Sequence, residues 1–87
     1  MTKNENEMLR HALLETLGLR AGIALPVAGI MRRSAGMVDF KFTPENAEAE
    51  LEVLKGLGLV EFHFDELGST KYWEATAKGV LFVERGL

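Results

Sequence analysis

An acidic set of residues lies in the middle of the sequence, in the segment PENAEAELEVLKG at residues 44–56. The segment carries four glutamates and one lysine. Carboxylates are repelled by phosphates, and among the bases only cytosine offers them a donor in the major groove. We therefore treat this set as a candidate protein-contact face, and its members are Glu45, Glu48, Glu52 and Lys55.

A cationic set is the counterpart, and it is small and scattered. Its members, the candidate contacts to nucleic-acid phosphates, are Arg32, Arg33, Lys41 and Lys71. Domains that hold duplex DNA usually have a basic surplus, because neutralised phosphates release counterions. This chain has a formal net charge of −3 instead. Double-stranded DNA is therefore expected to bind weakly.

The residues that could catalyse a reaction or ligate a metal lack the required spacing. His11 and His63 are far apart in sequence and have no Asp/Glu cluster with metal-ligand spacing, and the chain has no cysteine. Ser34 and Ser69 lie outside any nucleophile-elbow motif. We expect no enzymatic activity, no catalytic or metal-binding residue, no cofactor and no small-molecule substrate.

The length of 87 residues suits one domain with a single core. Residues 1–6 are predicted to form a polar tail and residues 7–87 the domain. The most apolar run, at residues 21–31, is too short to cross a bilayer, and the N-terminal segment lacks the apolar region of a signal peptide. We therefore expect a cytoplasmic protein without a membrane segment.

Two helices are predicted in the first half of the chain. Apolar residues near the i, i+4 spacing predict helix one over residues 7–17. Residues 23–25 are long enough only for a short strand. Pro26 suits the first turn of helix two, which is predicted to continue to about Ala35. Residues 36–42 follow as an extended connector in which apolar and polar residues alternate.

Helix three, a hairpin and a last helix are predicted in the second half. Thr43 suits the N-cap and Pro44 the first helical position. One apolar stripe of helix three comprises Ala47, Leu51 and Leu54, with Glu50 and Val53 at its edges. Residues 59–65 alternate in polarity, as half-buried strands do, and residues 71–76 return as the second strand. Thr76 can cap the last helix.

This order of elements resembles that of the winged-helix family, over the chain from about Leu9 to Arg85. The residues that carry the resemblance most specifically are Leu51, Leu54, Gly58, Leu59 and Val60, which match the pattern L..L...GLV at the end of the third helix, and the Thr-x-x-Gly of Thr76 and Gly79 after the wing. The connector is longer than the tight turn of DNA-reading members. The resemblance implies an α+β winged helix similar to small bacterial or phage proteins.

In DNA-reading members of that family, helix three enters the major groove and the wing touches the backbone or the minor groove. The corresponding face of this chain is the acidic set. We therefore favour a non-enzymatic recognition module that contacts a protein partner or a second copy of itself. The alternative is a DNA-binding transcriptional regulator that uses the cationic set, with helix three displaced from its usual role.

Self-association is suggested by the last helix. Val80, Leu81, Phe82 and Val83 are consecutive and point nearly all round a helix, so one monomer of this size does not readily cover them. Pairing of the first and last helices is common in similar winged-helix proteins. The candidate dimer contacts are Leu14, Leu81, Phe82 and Val83. The alternative is a last helix packed deeply against the wing and helix one.

Overall fold

Residues 1–86, which the computed structural model describes, form four α-helices and one β-hairpin. The elements are α1 (Lys3–Gly18), α2 (Val27–Ser34), a 3₁₀ turn (Ala35–Met37), α3 (Pro44–Gly56), β1 (Val60–Phe64), β2 (Lys71–Ala75) and α4 (Ala77–Glu84). The predicted α+β order is confirmed. Within these residues no helix is both long and apolar enough to cross a membrane.

α1 begins at Lys3, earlier than predicted. The reason is a capping box at its start: Thr2 Oγ1 accepts a hydrogen bond from the Glu5 backbone N–H at 3.1 Å, and Glu5 Oε1 accepts one from the Thr2 N–H at 3.0 Å. The prediction of a polar tail over residues 1–6 is therefore wrong for residues 3–6, which belong to the helix.

The predicted short strand at residues 23–25 is reduced to one bridge in the described part of the chain. The N–H and the C=O of Leu25 each form a 2.8 Å hydrogen bond with the backbone of Trp73. Pro26 is the N-cap of α2, with extended backbone angles, and Val27 is the first helical residue. The proline thus lies one position before the predicted one.

The connector after α2 is not an extended strand. Its first residues form the 3₁₀ turn and the next three are bends. The predicted alternation nevertheless holds in the burial of its side chains: the half-buried ones are Val38, Phe40 and Phe42, and the exposed ones are Asp39 and Lys41. Phe40 and Phe42 pack against the core. The alternation therefore predicts correctly which side chains are half-buried, although the segment does not pair with a strand.

The hairpin pairs β1 and β2 antiparallel, with Val60 opposite Ala75 and Phe64 opposite Lys71. The loop between the strands is closed by Asp65, whose Oδ1 accepts a hydrogen bond from the Ser69 N–H at 3.0 Å. Such side-chain bonds to the backbone are typical of Asp in turns. The strands and the loop match the predicted hairpin.

The core lies between α1 and the rest of the fold. Its fully buried side chains come from three helices and from both strands, and they include Leu9, Leu13, Leu17, Ile30, Leu51, Val60 and Trp73. Thr16 and Ser34 form a buried hydroxyl–hydroxyl hydrogen bond of 2.9 Å between α1 and α2. Each helix therefore contributes one face to a single core.

The two motifs that carried the family resemblance meet at the base of the hairpin. Thr76 Oγ1 donates to the Gly58 carbonyl at 2.6 Å and accepts from the Gly79 N–H at 3.1 Å. Gly79 lies against the Leu59 carbonyl oxygen, where a side chain would collide. Gly58 has a φ of +78°, in the left-handed region that favours glycine. The spacing of these residues therefore has a packing reason.

Candidate nucleic-acid interface

α3 is capped at its start and directs its acidic residues to solvent. Thr43 Oγ1 accepts a hydrogen bond from the Asn46 N–H at 3.1 Å, and Asn46 Oδ1 accepts one from the Thr43 N–H at 2.9 Å. The buried apolar side comprises Ala47, Leu51 and Leu54. The exposed side comprises Glu45, Glu48, Ala49, Glu52 and Lys55. α3 is therefore oriented as its apolar stripe predicts.

Glu50 departs from the sequence-based expectation. We counted it among the carboxylates of the acidic helix, but it is only 7% exposed and its Oε1 accepts a hydrogen bond from Arg10 Nε at 2.8 Å. A buried carboxylate needs such a partner, because desolvation without compensation is costly. Of the exposed carboxylates, Glu52 lies 3.9 Å from Lys55 Nζ. The exposed carboxylates of α3 are therefore the three of the acidic set, Glu45, Glu48 and Glu52.

Three of the four candidate phosphate contacts lie on α2 and the connector. Arg32 and Arg33 are exposed, and Arg33 Nη1 donates to the Gly29 carbonyl at 3.0 Å. Lys41 is exposed and lines a recess with Met31 of α2, Ala35 of the 3₁₀ turn and two phenylalanines of the connector. The structure thereby places Lys41 beside α2, although it is separated from that helix in sequence.

Lys71, the fourth, lies apart from these three at the start of β2. Its Nζ is 4.6 Å from the ring centroid of Phe62 and 5.8 Å from that of Trp73. Lys55 Nζ lies 5.1 Å from the same Phe62 ring. Cations at such distances are attracted by the ring quadrupole. Phe62 therefore holds two ammonium groups near the middle of the hairpin.

A crevice of about 450 Å³ joins α2, α3 and the hairpin. Its lining residues include Pro26 and Ala28 at the start of α2, Glu48 of α3, and Phe64 and Lys71 of the hairpin. Glu48, on the exposed side of α3, therefore lies between the start of α2 and the wing.

The fold is similar to that of solved structures. A mutant of ZitR from Lactococcus lactis in its apo form matches with a TM-score of 0.73 and 15% identity, over 95% of this chain and 57% of that one. A transcriptional regulator of the MarR family from Silicibacter pomeroyi matches with a TM-score of 0.65 and 18% identity, over 94% of this chain and 58% of that one. No protein-family model and no curated protein matches the sequence.

This chain is a winged-helix domain. It spans a little over half the length of each of these proteins. In the terms of this fold, α2 and α3 are the helix-turn-helix pair, and the hairpin is the wing. Leu25 supplies the short strand that pairs with the wing. At these identities the likeness shows the fold alone.

The histidines of the winged-helix domain are well separated. His63 is exposed on β1, stacks on Tyr72 with 6.1 Å between ring centroids, and places Nδ1 4.0 Å from Glu74 Oε1. His11 is exposed on α1. Within residues 1–86, no three His, Asp or Glu side chains are grouped so that they could hold a metal ion.

An apolar surface lies where α1, the end of α3 and α4 meet. Phe82, 41% exposed, and Leu57 flank a cavity of about 170 Å³. Leu14 lines the inner side of this cavity and is only 2% exposed. The prediction that Leu14 is a dimer contact is therefore corrected, because the core of the monomer itself covers this side chain. Val83 packs against Gly18 of α1, while Leu81 is exposed.

The pair of Arg10 and Glu50 is the feature that sequence reasoning missed. A signal was present, because Glu50 lies three residues after Ala47 and four before Leu54, on the buried side of α3. A carboxylate at a core-facing position indicates a cationic partner. The sequence does not say that the partner is forty residues away in α1.

Proposed function

We propose that this winged-helix domain is the DNA-binding part of a transcriptional regulator. The observation that supports it most is the likeness in fold to a MarR-family transcriptional regulator, which extends over 94% of this chain and includes helix-turn-helix and wing. Fold alone does not decide function, so the charged residues define how DNA would be held.

In this proposal DNA is held mainly through α2 and the wing. Arg32 and Arg33 present two guanidinium groups from α2, and Lys41 lies beside that helix. Lys71 adds a cation beside the loop of the wing. α3 faces the groove but contributes little affinity, because Glu45 and its neighbours oppose the phosphates. Binding is therefore expected to be weak at physiological salt.

Titration with mixed-sequence duplex DNA over a series of salt concentrations tests the proposal. If the four cations each neutralise one phosphate, the plot of log K against log salt concentration has a slope of about −3.6. Arg32→Gln should reduce the magnitude of that slope by about 1. The matched control is Lys3→Gln, which removes an exposed cation from the start of α1. No binding at low salt, or an equal effect of the two variants, contradicts the proposal.

Protein contact is the second candidate function. The observation that favours it is the exposed face of α3, where three carboxylates stand against one lysine. Such a face suits a basic protein surface better than a phosphate backbone. If the protein binds no DNA at any salt concentration, protein contact becomes the better-supported function.

We also propose that the domain forms a symmetric dimer through the apolar surface of Leu57 and Phe82. A symmetric interface must be complementary to itself, so each copy needs both a protruding group and a recess. This surface offers an exposed ring and a recess, because Phe82 is 41% exposed and lines the cavity. A dimer would also place two DNA-binding faces on one palindromic site.

A further inference from the structure

The wing has an unpaired strand edge. β2 lies between β1 on one side and Leu25 on the other. Among residues 1–86, none of the backbone hydrogen bonds outside the hairpin involves residues 60–64 of β1. Unpaired N–H and C=O groups along a strand edge are a template for another strand.

The register shows which groups of β1 face that edge. The Thr76 N–H donates to the Leu59 carbonyl at 3.1 Å, and the Asp65 N–H donates to the Thr70 carbonyl at 3.1 Å. Hydrogen-bonded and non-hydrogen-bonded pairs alternate along an antiparallel ladder. Glu61 and His63 therefore bond to β2, and the N–H and C=O groups of Phe62 and Phe64 point outward. Trp73, which lies opposite Phe62, follows the same alternation, because its N–H and C=O point away from β1 and bond to Leu25.

The side chains beside the edge define the chemistry of a strand that would fit it. On the inner face lie Phe62, which packs on the core, and Phe64, which is 52% exposed, with Lys71 opposite Phe64 on β2. On the outer face lie Glu61, His63 and Asp65, and Glu74 stands opposite Glu61 on β2. Directly opposed residues of paired strands share a face and interact. The fitting strand therefore alternates apolar residues on the inner face with cationic residues on the outer face.

We infer that the free edge of β1 binds an extended segment of a partner protein in which basic and apolar residues alternate. A second copy of β1 fits less well, because it would add the same carboxylates to the outer face. Duplex DNA is disfavoured there by the same carboxylates. Of the cationic residues proposed to hold DNA, Lys71 lies opposite Phe64 on β2, whereas Arg32, Arg33 and Lys41 lie on α2 and the connector.

The probe is an acetylated and amidated peptide of alternating lysine and valine. Its valines would lie opposite Phe62 and Phe64, so their amides would bond to β1 while the lysine amides face solvent. N-methylation of the valine amides should abolish binding, and N-methylation of the lysine amides should leave it. A peptide of alternating glutamate and valine should not bind. Equal binding of the two methylated peptides overturns the inference.

Variants of the protein locate the binding site. Phe64→Pro removes an outward N–H and should weaken peptide binding about fivefold, the effect of one lost hydrogen bond. Phe64→Ala is the matched control, because it shortens the same side chain and keeps the N–H. Circular dichroism checks that both variants fold. If both weaken binding equally, the edge is not the site.

Amide hydrogen exchange gives a second reading. With the lysine–valine peptide bound, the amides of Phe62 and Phe64 should exchange at least several-fold more slowly. Slowing confined to other residues, or slowing that depends on protein concentration without peptide, overturns the inference. The second result would identify a second copy of the chain as the occupant. No detectable peptide binding also overturns it.

Discussion

Arg10 Nε lies 2.8 Å from Glu50 Oε1 and ties α1 to α3 through one charged hydrogen bond. The carboxylate is buried while the guanidinium is partly exposed. The pair therefore neutralises one of the four carboxylates of α3, on its buried side, and fixes that helix against the core. Both consequences matter for a helix that would face DNA.

The first prediction concerns this pair. Arg10→Met leaves the buried Glu50 carboxylate without a cation and should lower the free energy of unfolding by about 1.5–3 kcal/mol. Lys55→Met is the matched control, because Lys55 pairs with the exposed Glu52 at 3.9 Å, and it should change stability by about 0.5 kcal/mol or less. Denaturant unfolding measures both variants.

A double variant separates the pair from simple packing. Replacing both partners, as in Arg10→Met with Glu50→Leu, should recover most of the lost stability, because apolar residues often replace a buried ion pair without loss. Equal destabilisation by Arg10→Met and Lys55→Met would show that the pair contributes no more than a surface contact.

Local patterns in the sequence were sufficient to predict most of the fold. Each of these patterns involves residues that are only a few positions apart in the chain. They are the cap at Thr43, the stripe of Leu51 and Leu54, and the alternation in the hairpin. The same holds for the threonine that caps α4. Such signals depend on short-range geometry, and each corresponds to an element that the structure contains.

The features that were not predicted depend on residues far apart in the chain. Leu25 pairs with Trp73, and Arg10 pairs with Glu50. The burial of Leu14 follows from the way α1, α3 and α4 meet around it. Periodicity assigns a side chain to a face, but it does not say which element covers that face. For this reason the orientation of α3 was predictable and the pairing of Glu50 with Arg10 of α1 was not.

The second prediction concerns the close approach at the base of the wing. Gly79→Ala places a methyl group against the Leu59 carbonyl and should destabilise the domain by about 1–3 kcal/mol. Gly56→Ala, also in a helix but with open space around its Cα, should be neutral or slightly stabilising. Thermal unfolding distinguishes the two. Similar melting temperatures would show that α4 can move away from Leu59 at little cost.

The third prediction concerns the acidic face of α3. If α3 faces DNA as proposed, Glu48→Gln removes a charge that opposes the phosphates and should raise DNA affinity about fivefold at low salt. Glu7→Gln, on the exposed side of α1, is the control and should have little effect. Fluorescence anisotropy with labelled duplex DNA measures both. Equal changes would indicate that only the net charge of the domain matters.

The fourth prediction concerns the dimer. Leu57 and Phe82 are exposed on either side of an apolar cavity, and water-exposed apolar groups around a recess are typical of an interface. Light scattering coupled to size-exclusion chromatography should therefore give a dimer mass at tens of micromolar protein. Phe82→Glu places a charge at the centre of that surface and should yield a folded monomer.

The wing tip offers a matched control for the dimer. Leu67 is 90% exposed and lies in the hairpin loop, away from α4. Leu67→Glu makes the same chemical change and should leave the dimer intact. A monomer mass for the unmodified protein would refute the dimer, and α4 would then serve only to cover α1 through Val83. A monomer produced by both variants would instead show that added negative charge alone separates the copies, because net charge opposes association at any surface.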